Sequence, residues 1–114
     1  MKSMILLAAA LALGPTGQGL AQEADVAAGR AYAEAVCSKC HAVRAGEDLS
    51  SEFGATPFQE LAETPGMTEY ALSVWLQTSH PTMPNIILEQ DELRNVIAYI
   101  RSLDRRPERP ASGP

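Results

Sequence analysis

Two cysteines three positions apart, Cys37 and Cys40, are followed at once by His41 in the stretch VCSKCHAV. Three chemistries could use such a set. A redox dithiol places C-x-x-C between a strand and a helix. A structural zinc site combines thiolates with imidazole but needs four ligands. A haem anchor spends both sulfurs on thioether bonds and the imidazole on iron. The chain has no third cysteine and only one other histidine, His80, so zinc is short of ligands. No strand-like run precedes Cys37, and a dithiol leaves His41 without a role. A disulfide would have to close within a single helical turn, a poor geometry. The haem reading uses all three residues, because positions i, i+3 and i+4 share one face of a helix.

The elements that must position this set begin after a leader. Lys2 is followed by an apolar run, 4–13, which Gly14 and Pro15 interrupt, and Gly19-Leu20-Ala21 has the small-residue pattern of a cleavage site. The run is too short to cross a bilayer, which takes about 20 residues. Residues 1–21 therefore read as a secretory signal peptide, and the mature chain as periplasmic with no membrane span. That compartment is oxidising, so an idle pair of free thiols would not persist there. The whole chain carries 9 Lys+Arg against 14 Asp+Glu. An acidic balance argues against nucleic acid and favours a partner with a basic docking patch. Residues 22–104 read as one domain and a monomer. Residues 105–114, rich in arginine and proline, read as a disordered tail. A mature chain this small buries a modest core and relies on a staple such as a cofactor.

Helical periodicity dominates that domain, and nothing alternates with period two. Small or apolar positions recur at helical spacing over 25–40, with Asp25 as N-cap. The polar stretch 44–55 contains Gly46 and Gly54 and reads as a loop. Thr56, Pro57 and Gln59 have the pattern of an N-cap, first helical position and capping box for a short helix that Pro65-Gly66 ends. Thr68 caps the next helix, whose apolar face takes in Ala71, Leu72, Trp75 and Leu76. Pro81 and Pro84 keep 80–85 out of regular helix. A last helix covers 89–103, with Glu89, Asp91 and Glu92 in its first turn. The fold class is all-α.

These motifs, GRAYAEAVCSKCH, HPTMPNIIL and VIAYIRSL, resemble class I c-type cytochromes of the small bacterial monohaem kind over roughly 24–103. The resemblance implies about four helices around one covalent haem c, with the N- and C-terminal helices crossing. It places Gly29 at that crossing with Tyr99 packed against it. Ala33 stands where the family often has an aromatic, with Tyr32 beside it. Cys37 and Cys40 would carry the thioethers and His41 would be the proximal iron ligand. His41 would donate its other ring N–H to a backbone carbonyl, in the family usually a proline's, for which Pro57 is the nearest candidate.

Three residues compete for the distal iron position. Met67 sits just before Thr68 and reads as a hydrophobic staple. His80 lies at a helix end beside Pro81 and reads as a helix-end residue. Met83 lies in PTMP, a stiff extended loop 42 residues after His41, and such a loop costs little entropy to fix. The resemblance also puts the ligating methionine in an M-P pair, which Met83-Pro84 matches. His/Met ligation leaves no open iron position and a soft thioether favours the ferrous state. The expectation is a soluble electron carrier for redox partner proteins and not an enzyme. The alternative is a haem-based sensor or peroxidase-like protein with a displaceable methionine. A slot facing Cys37, Cys40 and His41 is expected in the folded polypeptide, and Trp75 is expected in the core, with a place by the haem edge or a propionate as the alternative.

Overall fold

A computed structural model describes residues 23–81 and 83–107. The expected signal peptide and residues 108–114 of the expected tail lie outside these residues. Among the described residues four α-helices form: α1 Val26–Ala35, α2 Phe58–Glu63, α3 Glu69–Gln77 and α4 Gln90–Ser102. No strand occurs among the described residues.

Helix α1 starts where expected: the Asp25 carboxylate accepts from the Ala28 amide at 3.0 Å, satisfying one of the orphan donors of the first turn. The same residue ties α1 to α4, because its amide donates to Asn95 Oδ1 at 2.8 Å. The two helices meet at Gly29. A Cβ there would overlap the Asn95 carbonyl and lie 3.0 Å from Tyr99 Cβ. Only glycine lets the backbones come this close. Ala33 and Val96, both fully buried, belong to the core that spreads from the crossing. The small residue at 33 thus replaces an aromatic in a tight space, and Tyr32 packs on the core from its edge.

The remaining helices close the core from the other side. Leu72 of α3 is buried and Leu76 packs beside it. Thr68 caps α3 as expected, its hydroxyl accepting from the Ala71 amide at 3.1 Å. At the start of α4 the Glu92 carboxylate accepts from the Glu89 amide at 2.9 Å, so Glu89 lies outside the helix as its N-cap. Helix α2 departs from expectation. Pro57, not Thr56, is its N-cap, with no side-chain cap bond. Gln59 makes no capping box. It is buried, accepts from the Gly46 amide at 3.0 Å and donates to the Leu103 carbonyl at 2.7 Å. A buried amide must find partners, and here its partners join loop 44–55 to the end of α4.

Trp75 is a second departure. It is 53% exposed, because Leu72 and Leu76 take the inward positions of α3. The first residues of the expected tail are also held. Arg105 pairs with Glu63 at 3.0 Å, and Arg106 donates to the Ala62 carbonyl at 3.1 Å.

Candidate haem site

Helix α1 does not run through to Cys40 as its periodicity suggests. The helix ends at Ala35 with Val36 as its C-cap, at φ −113°, and a short 3-10 turn covers Cys37–Lys39. The Ser38 hydroxyl donates to the Glu34 carbonyl, offering that acceptor a partner outside the helical ladder. The i, i+3, i+4 relation survives the break. The Cys37 carbonyl accepts from both the Cys40 amide at 3.2 Å and the His41 amide at 2.9 Å. One turn therefore carries all three residues.

Both cysteines are free thiols and partly buried. Cys37 packs against the core, and burial pushes its pKa up to about 11. A redox dithiol needs the opposite, a thiol held below its usual pKa by nearby positive charge. No cluster of three or more His, Cys, Asp or Glu residues suited to a metal ion occurs among the described residues, so the zinc reading gains nothing.

The His41 ring is fixed from behind. Nδ1 lies 2.7 Å from the Thr56 carbonyl oxygen. A carbonyl only accepts, so Nδ1 carries the proton and Nε2 keeps its lone pair for a metal. Pro57 was the expected acceptor. Its carbonyl is committed to the Leu61 amide at 3.0 Å, the first bond of α2, which leaves the carbonyl one residue earlier for His41. The Phe58 ring stands 5.6 Å from the imidazole, tilted by 51°.

The chain after His41 is clamped at successive groups. The Ala42 amide donates to Ser50 Oγ at 2.9 Å, and its carbonyl accepts from the Phe58 amide at 2.8 Å. The Val43 carbonyl accepts from the buried Tyr99 hydroxyl at 2.6 Å. Loop 44–55 reaches back to the motif, with the Glu52 amide donating to the Cys40 carbonyl at 3.2 Å. Thr56, Phe58, Ser50 and Tyr99 were not legible as site residues. Each of their hydrogen bonds has a backbone group on at least one side, which a spacing pattern does not register.

The candidate distal residues occupy different settings. Met67 packs on the core, as a staple should. His80 sits at the end of α3, with Nδ1 3.2 Å from the Thr78 carbonyl and its ring edge-on to Trp75 at 5.5 Å. Met83 is partly buried in the irregular segment between α3 and α4, where its amide donates to the His80 carbonyl at 3.2 Å.

The donors on one turn fit a covalent haem: two free thiols and an imidazole with Nε2 available. Large apolar side chains remain on the surface, including Leu49, Phe53, Trp75 and Ile87. The expected slot facing Cys37, Cys40 and His41 is not what the structure forms at His41: the cleft there, of about 290 Å³, has His41, Ser38 and Leu49 in its lining but neither cysteine.

The family model described as Cytochrome c matches residues 26–104. No curated protein and no solved structure matches the chain.

Proposed function

The chain belongs to the cytochrome c family, electron carriers with covalently bound haem c, and on that premise we propose that it is a periplasmic one-electron carrier with His/Met ligation. Cys37 and Cys40 hold the porphyrin through thioethers, His41 is the proximal ligand and Met83 the distal one. Residues 1–21 direct export, 22–104 form the haem domain and 105–114 a tail. When bound, the haem supplies an Fe(III)/Fe(II) couple.

The observation that carries this reading is the 2.7 Å bond from His41 Nδ1 to the Thr56 carbonyl, beside two free thiols on the same turn. That bond fixes the tautomer and the ring plane and raises the basicity of Nε2. Met83 brings a soft donor that favours the reduced iron. Trp75 and Ile87 supply exposed apolar surface of the kind that excludes water from a porphyrin face. The partner is a redox protein with a basic docking patch. The chain's net charge of −5 supports this, since complementary charge speeds encounter.

Extraction in acid acetone tests the attachment. The wild type keeps its haem colour with the polypeptide, and a Cys37→Ala, Cys40→Ala variant has none there. Colour that leaves the wild-type polypeptide would remove the thioethers from the proposal. Electron transfer to a basic partner slows as salt rises, because exposed charges are screened within about 8 Å at physiological ionic strength. A rate independent of salt would point to apolar docking instead.

A further inference from the structure

We infer that Tyr99 is a positioning residue for the iron: through its hydroxyl bond to Val43, the α1–α4 crossing sets the His41 imidazole and with it the reduction potential. The inference rests on the electron-carrier reading and goes beyond it, because Tyr99 lies on the last helix, 58 residues from His41.

The connection runs through a chain of short contacts. Gly29 brings α1 against α4 at Asn95 and Tyr99, which decides where the Tyr99 ring stands. From there its hydroxyl donates to the Val43 carbonyl at 2.6 Å, a bond inside the core. The neighbouring Ala42 carbonyl accepts from the Phe58 amide at 2.8 Å. Phe58 belongs to the same tripeptide as Thr56, whose carbonyl takes the His41 proton at 2.7 Å. Segments 41–43 and 56–58 thus face each other with two bonds between them, and Tyr99 pins the first segment from outside the pair. The rings follow the same line, with Phe58 5.6 Å from His41 and 6.5 Å from Tyr99.

Removing the Tyr99 hydroxyl leaves a buried Val43 carbonyl without its donor, and such a group moves toward another partner or toward water. Segment 41–43 moves with it, and the His41 to Thr56 bond lengthens. A strong bond at Nδ1 makes the imidazole a better donor to the oxidised iron. Weakening it therefore raises the potential. Burial also raises the Tyr99 pKa, so the hydroxyl stays protonated and donating.

The test compares the haem-loaded wild type with Tyr99→Phe, which keeps the ring packed at the crossing. The variant is expected to show a higher reduction potential, an upfield shift of the His41 Nδ1 proton resonance in the ferrous state, and faster exchange of the Phe58 amide. Fluorotyrosine incorporation is the companion, since it strengthens the donor without removing it and should move the Nδ1 resonance the other way. The chain has three tyrosines, Tyr32, Tyr70 and Tyr99, so a Tyr32→Phe, Tyr70→Phe background assigns the effect. A Tyr99→Phe protein that is less stable but keeps the wild-type potential and Nδ1 resonance makes Tyr99 purely structural and overturns the inference. If the phenylalanine variant does not fold, an unchanged resonance on fluorination does the same. A wild type without covalent haem overturns the carrier reading and this inference together.

Discussion

Where α1 crosses α4, the backbones meet at Gly29 with no room for a methyl group, and Ala33 and Val96 in the same cluster expose no surface. Between α3 and α4 the chain behaves differently. Pro81, Pro84, Asn85 and Ile87 are exposed, and Met83 is only partly covered. The crossing feeds directly into the histidine side of the site through Tyr99 and Val43. The methionine side has prolines to limit its conformations but little packing to choose among them. The difference suggests a division of labour. On the proposed ligation, the polypeptide would set His41 by itself, whereas the segment around Met83 would draw its order from what it binds.

The largest effect should come from filling the crossing. Gly29→Val forces a branched side chain into the Asn95 backbone, which cannot swing aside as a flexible side chain could. Overpacking of this kind costs about 3 kcal/mol or more, a large part of a typical stability of about 5–15 kcal/mol. The matching change in the distal segment, Asn85→Val, is exposed and should stay within about 0.5 kcal/mol. Denaturant unfolding of the two haem-loaded variants measures both. Similar losses would mean that the segment is packed as tightly as the crossing, and the contrast would fail.

A deletion series sharpens the same point. Val96→Ala leaves a cavity in a fully buried site and should cost about 2 kcal/mol. Ile87→Ala, at a side chain 81% exposed, should cost less than about 0.5 kcal/mol if nothing covers it. A larger loss in the haem-loaded protein would show that the porphyrin covers Ile87.

Met83→Ala probes the distal side more directly. The partly buried side chain contributes about 1 kcal/mol by packing, but its replacement should abolish the Met–iron charge-transfer band of the ferric protein and lower the potential. Met67→Leu and His80→Ala should keep the band. Its survival in Met83→Ala and loss in Met67→Leu would move the distal ligand to the start of α3.

The all-α class was legible in the sequence because apolar stripes at helical spacing survive in the structure almost intact. Leu93, Val96, Ile97 and Ile100 are all buried on α4. The crossing came from the family resemblance, which singled out Gly29 and Tyr99, and the two do meet there. What stayed hidden was held by backbone and long-range polar contacts. The 3-10 turn at Cys37 interrupts an unbroken periodicity, and nothing in residue spacing announces where a serine will divert a carbonyl. Gln59 looked like a capping residue because its distance from Thr56 matched a local motif. Its actual partner Leu103 lies 44 residues away, and tertiary satisfaction of a buried amide outweighs a local cap. The Thr56 carbonyl was missed by one residue for a related reason: the start of α2 decides which carbonyl is already in use.

The smallest effect belongs to charge at the far end of α4. Arg106 donates to Asp104 at 2.7 Å, and this bond is the main reason that the Asp104 carboxyl is held down to about 2, well below its ordinary value. A carboxyl depressed in the folded state stabilises it above the unfolded pKa and stops doing so as pH falls through the folded one. Asp104→Asn should therefore be slightly less stable than the wild type at neutral pH, by less than any core substitution above, and the gap should close between about pH 4 and pH 2. Both partners are substantially solvated, and exposed ion pairs contribute little, so salt should shrink the gap as well. Thermal unfolding of the two proteins across that pH range measures it. A gap that persists unchanged at pH 2 would mean that the asparagine disturbs the packing where Arg106 reaches the Ala62 carbonyl. The end of α4 would then belong with the packed crossing and not with the exposed distal segment.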